Sequence, residues 1–355
     1  MTVKKLNEKL LIAVLLLVIQ GLYAQDTAYI CLGYTTEVQN NFGKKYNWVN
    51  LLSVSGEIPS EKISRQWKNG SLGVEFISIF KIFEKRIAKD LMTFSNIEED
   101  NLPISPFLLG YMHQWKNISL FGGIRNINHD YFTMPYTSLF TNSSAGIFPT
   151  LSLNFELANY PLSAMCLHFE YTPTNKWLFK ASLYNGIAHA PNKNIFHTFT
   201  VNPREDGIFS ISELSYTQNK FGNGTYSLGM AFRAFGKKFE ATYSIWGALE
   251  QSVFDNEKQE IGLVCQGGFA PPDKNECGYY CAAGVYFAGL VTKQKHDKLG
   301  IYLNATEVAG IKENTMEITW QFQIIDLIAV QPTFHCIRTG NRTTSIGLFR
   351  FKFLL

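Results

Sequence analysis

Long apolar runs are missing from most of this sequence. After residue 24, no run among the 355 residues approaches the ~20 apolar residues of a membrane helix, which excludes a helical membrane bundle. Charged residues make up only 17%, and the net charge of +3 is small for this length, so we expect no nucleic-acid partner. Mean hydropathy is nevertheless close to zero (−0.04). Apolar and polar positions must therefore be interspersed, which is typical of a membrane β-barrel.

The sequence also lacks the common catalytic signatures. It contains no G-x-S-x-G elbow, no H-E-x-x-H pair, no P-loop and no dinucleotide fingerprint, so we expect no enzyme and no cofactor. Cysteines are few, at six. Cys277 and Cys281 would lie about 13 Å apart on one extended strand, too far for a disulfide, although in a loop they could pair. No histidine lies between them, and we expect no metal site there.

The N-terminus has the pattern of a secretory signal peptide. Lys4, Lys5 and Lys9 form a basic region, and an apolar stretch from Leu10 to Ile19 follows it. We expect residues 1–24 to be removed after Ala24 and the remaining chain, 25–355, to be exported.

Strict alternation appears in the stretch from Met165 to Leu183. Apolar side chains occupy every second position on either side of a Pro- and Asn-containing turn, which predicts a β-hairpin with one apolar and one mostly polar face. Such a hairpin fits a soluble sandwich or a membrane barrel. The aromatic residues Tyr171 and Trp177 stand near the turn, where a membrane interface would lie, and they favour the barrel.

The last strand also favours a membrane barrel. Between Phe349 and Phe353, aromatic rings alternate with Arg350 and Lys352, a pattern that suits a wet lumen with lipid outside. A sheet that crosses a membrane must close, because an open edge would leave backbone groups unpaired in lipid. The fold class predicted is therefore all-β, a transmembrane antiparallel β-barrel of about 16 strands over residues 25–355. We expect residues 25–70 to include an N-terminal periplasmic or plug segment.

Two segments between the strand patterns are expected to have other conformations. Phe83 to Asp90 fits a short helix or a polar loop. Residues from Asp130 to Tyr160 have neither strand nor helical periodicity, and long irregular segments within ordered domains are often functional. In a barrel, the second segment would be an extracellular loop or a loop folded into the lumen.

Four stretches, in order along the chain, resemble the carbohydrate-selective porins of the OprB family. They are SLFTNSSAG at 138–146, FEYTPTNKW at 169–177, GGFAPPDKN at 267–275 and QPTF at 331–334. Ala145 replaces an aromatic residue expected in the first stretch, and the chain ends in Leu355 rather than phenylalanine. The resemblance implies a barrel of the bacterial outer membrane through which mono- and oligosaccharides diffuse passively.

In such a channel, the candidate site is the lining of the lumen and its constriction. Sugars are held by aromatic faces and by charged or amide hydrogen-bonding groups. The residues expected to point inward or to begin the long loop are Arg125, Asp130, His168, Glu170, Lys180, Tyr184, Arg233 and Glu240. For each of them taken singly, the simplest interpretation is one solvated lumen side chain among dozens.

The expected partners are small-molecule sugars, outer-membrane lipids and, in a homo-oligomer, further copies of the chain. Three alternatives remain open. The first is a general or anion-leaning porin without sugar preference, the second a barrel enzyme acting on lipids, and the third a soluble exported β-sandwich that binds a ligand.

Overall fold

The computed structural model describes residues 29–43, 45–191, 194–219, 222–234, 236–237 and 240–354. The predicted signal peptide at 1–24 lies outside these residues. Sixteen strands occupy most of the described chain. They are β1 (Tyr29–Asn40), β2 (Tyr46–Pro59), β3 (Gly70–Lys81), β4 (Leu102–Trp115), β5 (Ile118–Arg125), β6 (Ala164–Thr174), β7 (Trp177–Asn185), β8 (Ile208–Gln218), β9 (Gly224–Ala234), β10 (Thr242–Asp255), β11 (Glu260–Phe269), β12 (Cys277–Ala288), β13 (Lys298–Val308), β14 (Ile311–Ile325), β15 (Ile328–Thr339) and β16 (Arg342–Leu354).

The strands form one closed antiparallel barrel in chain order. Each strand pairs with its sequence neighbours, and β1 closes the barrel on β16, with Gly33 opposite Leu354 and Asn40 opposite Gly347. Closure leaves no unpaired sheet edge, as a membrane-spanning sheet requires. The predicted barrel and its strand number are confirmed.

The hairpin predicted at Met165–Leu183 is formed by β6 and β7, and its alternation has the expected phase. Leu167 and Leu183 point outward, with exposed fractions of 59% and 52%, whereas His168 and Lys180 point inward and are buried. A similar inside-to-outside alternation continues in β16, where Phe349 is exposed and Arg350 is buried. Apolar side chains therefore cover the outer wall, and polar side chains are concentrated on the inner wall.

The expectation of a periplasmic or plug segment within residues 25–70 is wrong for the part described. β1 and β2 lie there as full members of the barrel wall, followed by a one-turn helix at Ser60–Ile63. These strands have weak apolar periodicity because outward positions include Thr36 and Asn50, whose side chains hydrogen-bond each other at 2.8 Å. The segment from Phe83 to Asp90 is a loop, one of the two conformations expected.

The two ends of the barrel differ in the length of their connections. One end carries the segments 82–101, 126–163 and 186–207, whereas most connections at the other end are short, with two residues at 116–117, 175–176 and 326–327. Long extracellular loops and short periplasmic turns are typical of outer-membrane barrels, so the first end corresponds to the outside. None of the described helices has the length and apolar character needed to cross a membrane.

The hydrophobic core lies inside the barrel. Segment 126–163, hereafter the long loop, enters the lumen instead of extending into solvent, which decides between the two positions expected for it. Its side chains Tyr131, Phe140 and Phe148 are almost completely buried. They pack with inward aromatic residues of the wall such as Tyr280 and Tyr302. Apolar side chains of the wall therefore have two kinds of apolar surroundings. Outward side chains contact the membrane, and inward aromatic side chains contact the inserted loop.

Candidate functional site

Carboxylates of the wall hold the long loop in the lumen. Glu250 on β10 accepts hydrogen bonds from the backbone N–H groups of Tyr136 (2.8 Å) and Thr137 (2.7 Å). Glu317 on β14 accepts them from Thr141 (2.7 Å) and Asn142 (3.0 Å). One-turn 3₁₀ helices leave such N–H groups without partners in the loop itself. Each carboxylate offers two acceptor oxygens, so one side chain satisfies two successive donors.

Neutral side chains add further attachments along the same half of the wall. The amide of Gln331 on β15 donates to Leu139 O at 2.6 Å, and that of Gln266 on β11 donates to Ala145 O at 3.1 Å. Asn154 and Cys277 on β12 exchange two hydrogen bonds of 2.8 and 3.0 Å. Because these contacts come from β10 to β15, residues 136–154 of the long loop lie against that side of the barrel.

Aromatic rings of the long loop pack over glycines in the wall. Phe140 stacks on Tyr302 with ring centroids 4.6 Å apart, and a Cβ atom added at Gly300 would come within 2.5 Å of the Phe140 ring. Tyr136 stacks on Tyr286 at 4.5 Å in the same way and covers Gly262. The missing side chains make room for the rings, and such stacked pairs contribute about 0.5–1.5 kcal/mol beyond the area they bury.

A second segment, residues 82–101, also folds inward and joins the long loop. Glu313 on β14 accepts hydrogen bonds from the N–H groups of Leu91 and Met92, both at 2.8 Å. The two segments are linked through their backbones, from Asn96 N to Thr141 O at 2.7 Å and from Ser143 N to Thr93 O at 2.9 Å. Together they narrow the lumen from one side.

A cavity of about 800 Å³ remains between these two segments and the wall at β1, β2 and β16. Its polar groups include the amides of Asn96, Asn128 and Asn159 and the carboxylates of Glu98 and Glu99. Its aromatic groups include Phe107, Phe132 and Tyr160, and its cations are Arg350 and Lys352. This combination of ring faces with hydrogen-bonding groups is the chemistry expected of a sugar pathway.

Charge within the cavity is partly compensated. Arg350 donates to Glu37 Oε1 through Nε at 2.5 Å and to Asn96 Oδ1 through Nη2 at 2.6 Å, so its guanidinium is held in one orientation. Lys352 donates to the amide oxygen of Gln321 at 2.8 Å. Across the cavity, burial raises the pKa of Glu98 and Glu99, and the Arg86 guanidinium opposes that rise.

Five of the sequence-predicted residues meet in one cluster beneath the start of the long loop. Arg125 at the end of β5 forms an ion pair with Asp130, and Lys180 on β7 donates to the backbone oxygen of Asp130. Lys180 also pairs with Glu213 at 2.8 Å. His168 Nε2 lies 3.1 Å from Glu170 Oε1. Burial raises the pKa of the Asp130 carboxyl, and Arg125 opposes that rise.

This cluster does not have the solvent exposure expected of lumen residues. Arg125, Asp130, His168 and Lys180 are 1–6% exposed, and none of them lines the 800 Å³ cavity. The expectation of solvated lumen side chains is therefore wrong for these four. The inserted loop covers them, an arrangement that strand alternation alone does not reveal.

The remaining three predicted residues lie elsewhere. Tyr184 on β7 is buried among aromatic residues, with its ring 6.3 Å from that of Phe209. Arg233 on β9 places its guanidinium 5.4 Å from the ring centre of Phe155 in the long loop. Glu240 is exposed in the connection that precedes β10, so its predicted place on the inward face of a strand is wrong.

The predicted cluster also bears on metal binding. Ligand atoms of Asp130, His168 and Glu170 lie within 4.8 Å of one another. However, Asp130 already carries the Arg125 ion pair, and both His168 nitrogens have partners, Ser182 Oγ at 2.7 Å and Glu170. These pairs attach the loop to the wall by electrostatic contacts. They do not favour a cation site, because the Arg125 guanidinium would repel a metal ion.

Sequence reasoning missed the carboxylates that hold the inserted segments, namely Glu250, Glu313 and Glu317. Each of these glutamates occupies an inward position in the two-residue period of its strand, and that position was the only sign of their role in the sequence. Their partners are backbone N–H groups, which have no signature in the sequence. The cavity residues of segment 82–101 were missed for the same reason, since the segment reads as an ordinary polar loop.

Comparison with known proteins supports a porin. Residues 109–234 match the model of the family "Carbohydrate-selective porin, OprB family". No curated protein sequence matches the chain. Among solved structures, the high-pH structure of Pseudomonas putida OprB is similar with a TM-score of 0.79 and 12% identity, covering 93% of this chain and 94% of that chain.

Two further solved structures share the architecture at lower similarity. The trimer form of Vibrio cholerae OmpT has a TM-score of 0.57 and 10% identity, covering 93% of this chain and 100% of its own. The anion-selective porin of Comamonas acidovorans has a TM-score of 0.57 and 9% identity, and the match covers 92% of this chain and 100% of that chain. At such identities these likenesses show the fold alone, a closed antiparallel β-barrel of the porin type. Over residues 109–234 the chain carries the sequence signature of the OprB family on that barrel, and the family resemblance predicted from its motifs is thereby confirmed.

Proposed function

We propose that this protein is an outer-membrane porin through which mono- and oligosaccharides diffuse passively. The observation that carries the proposal is the cavity of about 800 Å³ between the two inserted segments and the wall, which combines aromatic rings with amide and charged groups. The OprB family match over residues 109–234 supports the same solute class. The proposal assigns no chemical reaction to the protein.

The side chains around the cavity suggest how a sugar would be passed along. Ring faces such as those of Phe132 and Tyr160 offer apolar contact to the carbon skeleton of a sugar. Amides such as Asn159 replace some of the hydrogen bonds that its hydroxyls lose from water. A site with several weak, replaceable contacts lets a solute enter and leave quickly, as conduction requires.

The predicted residues Arg125, Asp130, His168, Glu170 and Lys180 receive a positioning role in this proposal. They lie outside the cavity lining, apart from solute. The contacts of Asp130 with Arg125, His168 and Lys180 tie the beginning of the long loop to β5, β6 and β7, which sets the width of the opening.

Liposome swelling tests the sugar pathway. The protein is reconstituted in liposomes and swelling is followed in isosmotic monosaccharides, disaccharides and amino acids. Sugars should enter faster than amino acids of equal size. The variant Asn159→Leu, which removes an amide and adds apolar bulk in the cavity, should slow sugars selectively, whereas Asn175→Leu in the hairpin turn at the opposite end should not. Permeation governed by size and charge alone would contradict the proposal.

An anion-leaning general porin is the second candidate. It is favoured by Arg350 and Lys352, which both line the cavity, and a related barrel is named as anion-selective. Reversal potentials in a salt gradient distinguish the two. A strong chloride preference without any advantage of sugars over amino acids would favour this candidate. Phospholipid turnover by the purified protein would instead favour the lipid-acting enzyme.

The cellular setting completes the proposal. Residues 1–24 direct export, and the apolar outer wall, with exposed residues such as Leu167 and Leu228, contacts membrane lipid. Assembly into a homo-oligomer is supported by the likeness to OmpT, which is described in a trimer form. N-terminal sequencing of the protein from outer membranes and chemical crosslinking there test these points.

A further inference from the structure

A second cavity, of about 580 Å³, lies at the long-loop end of the barrel. The charge of its lining differs from that of the 800 Å³ cavity. It is enclosed by the start of β14, the end of β15, the start of β16, the β1–β2 connection and residues 87–90. Ile87, Ala88 and Ile337 line it and belong to an apolar cluster with Ile346 and Leu348. That cluster closes the cavity on one side, so it is a pocket beside the pore mouth.

Three cations from three separate segments converge on this pocket. Lys45 comes from the β1–β2 connection, Lys89 from the inserted segment 82–101 and Arg342 from the β15–β16 hairpin. All three are exposed, and none forms a salt bridge within the described ranges. Bringing like charges together without counter-charges is unfavourable for the folded protein, so their convergence points to a ligand that supplies negative charge.

Among the described residues that line the pocket, Asp90 is the one acidic side chain, and it does not compensate for these cations. Its carboxylate lies 3.1 Å from the Arg86 guanidinium and accepts the N–H of Phe94 at 2.6 Å. Asp90 is therefore committed to holding the inserted segment. The neutral polar groups Asn341 and Thr344 remain as hydrogen-bonding partners in the lining.

The position of the pocket indicates what kind of anion reaches it. Ile337 and Thr339 belong to the inward phase of β15, on which Thr339 donates to the buried Glu313. The pocket thus opens into the aqueous mouth of the barrel, away from the lipid-facing wall. A dissolved solute that approaches the channel from outside meets this pocket before it reaches the 800 Å³ cavity.

We propose that Lys45, Lys89 and Arg342 bind the anionic group of acidic or phosphorylated monosaccharides at the outer mouth of the channel. The proposal rests on the proposed porin function and narrows its substrate class. A guanidinium presents paired donors that match the geometry of carboxylate and phosphate, and the two ammonium groups add charge without fixed geometry. The Asn341 and Thr344 side chains supply donors and acceptors for sugar hydroxyls.

Calorimetric titration of the purified full-length barrel in detergent tests the site, with glucose 6-phosphate as the probe. The triple variant Lys45→Gln, Lys89→Gln, Arg342→Gln should bind it roughly tenfold more weakly than the wild type, because three modest charge contacts are lost together. A matched control carries Lys62→Gln, Arg65→Gln and Lys68→Gln. It removes the same three charges from exposed positions at the opposite end and should bind as the wild type does.

The outcomes separate this inference from the porin function itself. Equal affinity in the two triple variants would overturn the site, as would glucose 6-phosphate binding that is insensitive to added salt. Displacement by inorganic phosphate at the same concentration as by glucuronate would overturn the saccharide class. Glucose-driven swelling of liposomes with the wild-type protein reports on the porin function alone, so its failure is distinguishable from failure of the site.

Discussion

Glu317→Gln is the most direct test of how the long loop is held in the lumen. In the wild type, the two oxygens of Glu317 accept from the N–H groups of Thr141 and Asn142, and one of them also lies 3.1 Å from Thr141 Oγ1. Glutamine has the same shape but only one acceptor oxygen, and its amide nitrogen is a donor. One backbone N–H would therefore face another N–H group in a site that excludes water.

The size of the effect follows from that mismatch. Glu317 is completely buried, so the displaced N–H has no water to turn to. Leaving a buried donor without an acceptor costs about 1–3 kcal/mol. Because the loop is held at several other places, we expect this segment to detach part of the time while the barrel stays closed. A detached segment moves out of or across the opening, so the pore should fluctuate between conductance levels.

Two measurements check this expectation. Single-channel recording in planar bilayers should show added conductance levels or noise in Glu317→Gln, and the free energy of unfolding in detergent should fall by about 1–3 kcal/mol. Glu307→Gln is the matched control. Glu307 lies on the neighbouring strand β13, with a partly exposed side chain 4.0 Å from Lys312, and such exposed pairs contribute little. Identical conductance and stability in the wild type and Glu317→Gln would refute the proposed role of the carboxylate.

Three further predictions follow from the same structure. Gly300→Val should displace the Phe140 ring and lower the free energy of unfolding by about 1–3 kcal/mol. The control Gly267→Val, where an added Cβ would lie 3.7 Å from Tyr280 O, should have little effect, and equal free energies of unfolding for the two variants in a urea titration would contradict the packing. Because the pKa of Glu98 and of Glu99 is raised, both carboxylates should take up protons at higher pH than exposed glutamates do. Their negative charge is lost on acidification from neutral pH, so the chloride-to-potassium permeability ratio should increase. The same increase in the double variant Glu98→Gln, Glu99→Gln would contradict this. All six cysteines are free, so thiol titration of the denatured protein should find six reactive groups, and a lower number would reveal a disulfide.

The barrel could be predicted from sequence because its rule is local. In β6 and β7, a residue faces lipid or lumen according to its position in a two-residue period, and the sequence shows that period directly. Leu167, His168, Lys180 and Leu183 all have the predicted orientation. The weak periodicity of β1 and β2 shows the limit of the rule, since polar side chains such as Asn50 satisfy one another on the outer wall.

The site was predicted less well, because several of its features depend on residues far apart in sequence. Arg125, Asp130 and Lys180 were recognised as inward or loop residues, and the structure brings them together. Their burial, however, depends on where the long loop lies, and no local pattern encodes that. Glu317 and Thr141 are 176 positions apart, and the interaction between them involves a backbone N–H group that every residue except proline has.

The sequence by itself determined an all-β chain of about sixteen alternating strands with a family resemblance to sugar porins, since alternation and short motifs are properties of neighbouring residues. Tertiary structure alone decided that the long loop enters the lumen, that Glu250, Glu313 and Glu317 hold the inserted segments, and that the opening lies against β1, β2 and β16. Closing a barrel brings distant strands around one space, and which side chains fill that space depends on packing among all of them.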